Sequence, residues 1–77
     1  MAYDEFDKKL GEILRAERDS ARLSQQDMAD RLGLTKMTIS HWENGNRSIK
    51  ASSLKDYCAV LGITVQYVFD LMEADNG

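Results

Sequence analysis

Apolar positions recur along this chain at the three- and four-residue spacings of helix faces, in five segments with short connections. Phe6, Leu10, Ile13 and Leu14 stand at i, i+4, i+7 and i+8, which predicts an inward face on a first helix over residues 4–21, capped by Asp4. Met28, Ala29 and Leu32 give a narrower stripe over 25–32. Ile39 and Trp42 anchor a third helix over 36–44, and Ala51, Leu54, Cys58 and Leu61 mark a fourth over 51–61. The fifth, over 65–72, carries two stripes: Val65, Val68, Phe69 and Met72 on one face, Tyr67 with Leu71 on another. Two stripes exceed what a small core can cover, so one is expected to meet a second subunit. The domain is expected to fill residues 1–73, with 74–77 a disordered tail.

Polar residues punctuate these segments. Ser24 can cap the second helix, with Asp27 three residues on to answer it as in a capping box. Gly33 permits the positive φ of a sharp helix exit, and Leu34 after it can fold back on the stripe. Thr35 opens the third helix by the same capping chemistry, and Gly45 closes it. Gly62 ends the fourth helix and Thr64 caps the fifth. Gly11 costs about 1 kcal/mol relative to alanine inside a helix and suits close packing there.

The faces of the third helix follow from a rotation of about 100° per residue. Ile39 and Trp42 fall within about 60° of each other and face inward. Lys36, Met37, Ser40, His41 and Asn44 fill the opposite arc. Such a helix, polar outside and firmly anchored inside, is shaped to enter the major groove of B-DNA, which is about 12 Å wide.

Seventy-seven residues make one small all-α domain with room for a single core. The chain contains no proline and few glycines, which favours helices throughout. No apolar run approaches the roughly 20 residues of a membrane span, and the acidic N-terminus does not read as a secretion signal, so a soluble cytoplasmic protein is expected. Cys58 is the only cysteine, which excludes an intrachain disulfide and reads as a buried apolar residue. No metal-ligand spacing, phosphate-cradling glycine loop or nucleophile beside the single histidine appears, so neither an enzyme nor a cofactor is expected.

A net charge of −3 is unusual for a nucleic-acid binder, but its distribution removes most of the objection. Residues 1–14 sum to −2 and residues 56–77 to −4, whereas residues 15–55 sum to +3 through Arg15, Arg18, Arg22, Arg31, Lys36, Arg47, Lys50 and Lys55 against five carboxylates. Positive charge therefore sits on and around the central pair of helices. The acidic ends weaken nonspecific phosphate attraction.

Gln25, Ala29, Gly33, Ile39, Trp42 and the run Glu43-Asn44-Gly45 resemble, in register, the phage repressor and Cro-like helix-turn-helix regulators, often called the Xre type. The resemblance extends from Leu10 to about Phe69. It implies a compact five-helix lambda-repressor-like DNA-binding domain whose helix-turn-helix is formed by the second and third helices. The family often has glycine where Arg22 ends the first helix and proline where Ile49 stands.

The same resemblance implies roles for particular residues. Lys36, Met37, Thr38 and His41 match positions that read bases, with Lys36 suited to guanine and Met37 to a thymine methyl. Gln25, Thr35, Asn44 and Arg47 match phosphate anchors, which set register without carrying sequence information. Arg18 and Glu43 match an ion pair between the first helix and the end of the recognition helix. Tyr67, Val68 and Leu71 match the dimer contacts, and a homodimer on a palindromic double-stranded DNA operator follows. The alternatives left open are an antitoxin or a restriction-system controller protein on the same fold, with a toxin or effector as protein partner, and an interaction adaptor that has lost DNA binding.

Overall fold

The computed structural model describes the backbone of residues 5–76 and the side chains of residues 5–74. It contains five helices: α1 (Glu5–Ser20), α2 (Gln25–Leu32), α3 (Lys36–Glu43), α4 (Ala51–Leu61) and α5 (Val65–Asn76). The cap assigned to Asp4 lies outside the described residues. α5 runs to Asn76, past residue 73, because neither proline nor glycine interrupts it and Ala74 is a strong helix former. No described helix is long and apolar enough to cross a membrane.

One core joins all five helices. Leu10 and Leu14 of α1, Met28 and Ala29 of α2, Ile39 and Trp42 of α3, Leu54, Tyr57 and Cys58 of α4, and Val68 and Met72 of α5 are buried together. α3 packs on α1 and α2, α4 on α2 and α5, and α5 closes against α1. Burial pushes the Cys58 thiol pKa up, so the cysteine stays a neutral packing residue.

Four helices end in one way. The residue after the last turn takes a left-handed conformation, at Arg22 (φ 62°), Gly33 (69°), Gly45 (74°) and Gly62 (73°). The N–H that follows it then reaches back to a carbonyl in the last turn: Leu23 to Arg18 (3.3 Å), Leu34 to Ala29 (2.9 Å), Asn46 to His41 (2.9 Å) and Ile63 to Cys58 (3.0 Å). These bonds satisfy carbonyls that a helix end leaves without partners.

The first and third helices meet at glycine. A Cβ added to Gly11 would lie 2.5 Å from the carbonyl oxygens of Trp42 and Glu43, so only glycine permits this approach. A Cβ at Gly45 would lie 2.9 Å from Cα of Lys8. The end of α3 and Gly45, two residues beyond it, are thus pressed against the N-terminal half of α1.

Several expectations need correction. Val68 is completely buried among the core residues of its own chain and has no surface to offer a second copy. Phe6, expected to face inward, is 51% exposed, because the first turn of α1 overhangs the end of the core; its ring meets Phe69 with centroids 6.3 Å apart. Ala51 is exposed in the first turn of α4, and the inward face there is completed by Tyr57.

Candidate nucleic-acid interface

The helix-turn-helix is built by short-range polar bonds. Ser24 Oγ accepts from the Asp27 N–H (3.0 Å) and Asp27 Oδ2 accepts from the Ser24 N–H (2.9 Å), a complete capping box at the start of α2. Hydrogen bonding to the carboxyl from the Ser24 backbone N–H, and then from the Ser24 side chain, holds the Asp27 pKa below its ordinary value. Thr35 Oγ1 accepts from the Thr38 N–H (3.2 Å) and starts α3. The turn between them, Gly33 and Leu34, folds back onto Ala29, itself fully buried where α2 approaches α3.

α3 divides along its length. Ile39 is wholly buried and Trp42 nearly so. Lys36 and Met37 are exposed, Met37 by 69%, while Thr38, Ser40 and His41 are half-buried. Lys36, Met37, Thr38 and His41 therefore share one helix, with the first two most open and Thr38 turned toward the flank. Leu34, expected to fold its side chain back on the stripe of α2, is instead 41% exposed in the turn, where only its backbone N–H reaches back to Ala29. Asn44 is exposed and donates from Nδ2 to Ser40 Oγ (3.2 Å) on the same face.

Beyond α3, the loop 45–50 carries exposed Arg47 and Lys50 around a half-buried Ile49. Ile49 packs against the core. Ser48 Oγ donates to Asp7 Oδ2 of α1 (2.8 Å), a bond across the fold that ties this loop to the first helix.

The end of α3 is locked by Glu43, whose side chain has no exposed surface. Arg18 donates to it twice, from Nε to Oε2 (2.7 Å) and from Nη2 to Oε1 (2.9 Å), a two-pronged match of guanidinium to carboxylate. Arg18 Nη1 also donates to the Leu23 carbonyl (2.7 Å), which fixes the exit of α1. Gln25 donates from Nε2 to Glu43 Oε1 (3.1 Å), so this half-buried side chain at the start of α2 turns one amide hydrogen inward. The Tyr57 hydroxyl donates to Glu43 Oε2.

Electrostatics follow from these contacts. Burial pushes the Glu43 carboxyl pKa up, but the hydrogen bonds from Arg18, Tyr57 and Gln25 outweigh it and hold the group below its ordinary value. The Tyr57 phenol is raised, first by burial and then by its bond to the Glu43 carboxylate. Every buried side-chain polar atom among the described residues has a partner.

Tyr57 is the member of this network that sequence reasoning missed. It stands three residues after Leu54 and next to Cys58, on the inward arc of α4, and a buried phenol there requires an acceptor. On α5, Tyr67 is 43% exposed, and Leu71 lines a shallow groove between α1 and α5 with Ile13 and Ala16.

Comparison with known proteins matches these features to one family. A family model described as helix-turn-helix matches residues 14–68. An uncharacterized transcriptional regulator in the ATPase CF(0) region of Rhodospirillum rubrum is 31% identical over 67 residues, covering 87% of this chain; the chain spans only 62% of that relative's length. Among solved structures, the restriction-modification controller protein C.AhdI from Aeromonas hydrophila is 25% identical with a TM-score of 0.80, over 84% of this chain and 98% of that one. The clp gene regulator ClgR from C. glutamicum shares the fold, at 24% identity and a TM-score of 0.84 over 96% of this chain and 92% of that one.

Proposed function

The chain belongs to the Cro/C1-type helix-turn-helix family, a family of DNA-binding regulators and not of enzymes, and from that membership we propose that it is a sequence-specific transcriptional repressor of double-stranded DNA. In this reading α3 lies in the major groove of a palindromic operator, bound by a homodimer in the cytoplasm. Lys36, Met37, Thr38 and His41 read base edges; Gln25, Thr35, Asn44 and Arg47 hold the phosphates on either side. Arg18 and Glu43 keep the helix in place.

The observation that carries the reading is the division of α3. Two large apolar residues are sunk in the core, and a cation and an open methionine stand free at the helix N-terminus, the end that approaches base edges in helix-turn-helix docking. One such helix touches too few base pairs to find a site in a genome. Two copies about 34 Å apart supply the rest, joined through Tyr67 and Leu71 and the groove beside them. Val68 takes no part.

Selection of bound duplexes from a random pool tests the proposal. A recovered palindromic sequence is expected; binding without any sequence preference would refute it. Sedimentation showing only monomer at high concentration, with and without that duplex, would remove the dimer. The likeness to a controller protein across nearly its whole length supports a second reading, a regulator within a restriction-modification system. A restriction endonuclease gene next to this one would decide for it.

A further inference from the structure

The carboxylate of Glu43 is gripped from three other helices: by Arg18 of α1, by Gln25 of α2 and by Tyr57 of α4. α1 and α2 pack broadly against α3, whereas α4 packs on α2 and α5. The Tyr57 hydroxyl is therefore a direct polar tie from α4 to the end of α3. The backbone of α3's end lies against α1 at Gly11, and the side-chain bonds from α1, α2 and α4 converge on its carboxylate from three directions, so that loss of the α4 bond leaves the helix a small rocking freedom on α1.

We propose that Tyr57 is a positioning residue for base recognition: its hydroxyl, acting through Glu43, sets the angle at which α3 presents Lys36, Met37 and His41 to base edges. This rests on the reading of α3 as the base-reading helix. Nonspecific attraction to phosphates through cations such as Arg47 tolerates a small change of helix angle because a charge attracts over a distance. Hydrogen bonds to base edges do not, since they weaken steeply away from ideal geometry. Loss of the third support should thus cost specific binding and spare nonspecific binding.

The test compares the wild type with Tyr57→Phe, which keeps the ring and removes the hydroxyl, on the duplex selected from a random pool and on an unrelated duplex. A Leu54→Val variant serves as control, because Leu54 is buried one turn earlier on α4 and makes no polar contact with Glu43. Tyr57→Phe is expected to bind the selected duplex about tenfold more weakly, with unchanged affinity for the unrelated duplex and an unchanged salt slope. Leu54→Val should lower the thermal midpoint and leave the ratio of specific to nonspecific affinity alone.

An unchanged ratio in Tyr57→Phe would overturn the inference, as would a loss of ratio shared equally by Leu54→Val. A Tyr57→Phe chain that does not fold would overturn it too, since the hydroxyl would then be holding the core together rather than aiming a helix. Failure of the underlying reading looks different: the wild type itself would prefer no duplex.

Discussion

Arg22 at the end of α1 occupies the same left-handed backbone position that Gly33 occupies at the end of α2, with φ of 62° and 69°. An L side chain strains that conformation by roughly 1–2 kcal/mol, part of which glycine returns through its greater freedom in the unfolded chain. Arg22→Gly is therefore expected to stabilise the protein by about 1 kcal/mol, raising the thermal midpoint by several degrees in a domain of this size. A midpoint that falls would show that the arginine side chain earns its place by other contacts.

Gly11 invites the opposite result. Alanine is the better helix former by about 1 kcal/mol, yet its methyl would meet two backbone carbonyl oxygens at 2.5 Å that cannot rotate aside. Overpacking of this kind costs about 1–3 kcal/mol, so the steric effect decides the sign. Gly11→Ala should lower the midpoint in chemical denaturation and, by pushing α3 outward, weaken binding to the selected duplex. A stabilised variant would mean that α1 and α3 separate easily.

Arg18→Ala leaves the Glu43 carboxylate buried without its main partner, a situation that costs about 3–5 kcal/mol. The double variant Arg18→Met with Glu43→Leu, which removes both charges but also the acceptor of Tyr57 and Gln25, should recover part of that loss. Thermal unfolding of the single and double variants checks this. Equal midpoints for wild type and Arg18→Ala would show the pair to be inconsequential.

The two ends of the pH scale probe the same network. Glu43 has a folded pKa below its unfolded value of about 4.3, so its contribution is complete above that value and lost as pH falls through the folded pKa. Tyr57 has a folded pKa above its unfolded value of about 10, so its contribution is complete below that value and lost as pH rises through the folded pKa. A flat midpoint is expected across neutral pH, falling below about pH 4 and, on the alkaline side, from about pH 8.5 as the Cys58 thiol begins to ionise in the unfolded chain, and more steeply above about pH 10 where Tyr57 joins it. Tyr57→Phe should blunt the alkaline fall; an identical fall in that variant would assign it to another group.

Lys36 and Arg47 should separate by kind of effect. Lys36→Ala is expected to relax preference at one base pair of the selected site by about 1–3 kcal/mol, and Arg47→Ala to weaken all duplexes alike while reducing the salt slope by about one. Titrations of matched and mismatched duplexes at several salt concentrations distinguish them. The reverse outcome would exchange their roles.

Most of the fold was legible because its signals are local. Apolar spacing, Ser24 with Asp27, Thr35, Gly33, Gly45 and Gly62 each act within one or two turns, and the observed helices start and stop within a residue or so of the expected positions, α5 apart. The inward pair Ile39 and Trp42 and the open pair Lys36 and Met37 followed from helix rotation alone. Tyr57 was not legible, because its importance depends on an acceptor fourteen residues away that only tertiary packing brings near. Val68 misled because the resemblance grouped it with Tyr67 and Leu71, whereas its spacing with Val65, Phe69 and Met72 belongs to the other stripe, the one the core covers. The bond from Ser48 to Asp7 joins two polar side chains 41 residues apart, and no sequence pattern announces such a pair.

The seclusion of the Arg18–Glu43 pair has a consequence for how this protein meets changing ionic strength. Mobile ions screen charges that face water, over about 8 Å at physiological salt, but these two side chains are 7% and 0% accessible. Added electrolyte should therefore loosen the hold on a polyanion while leaving the scaffold intact. Release from DNA and collapse of the domain are then separate events, and a bound regulator could be shed and reused without being lost.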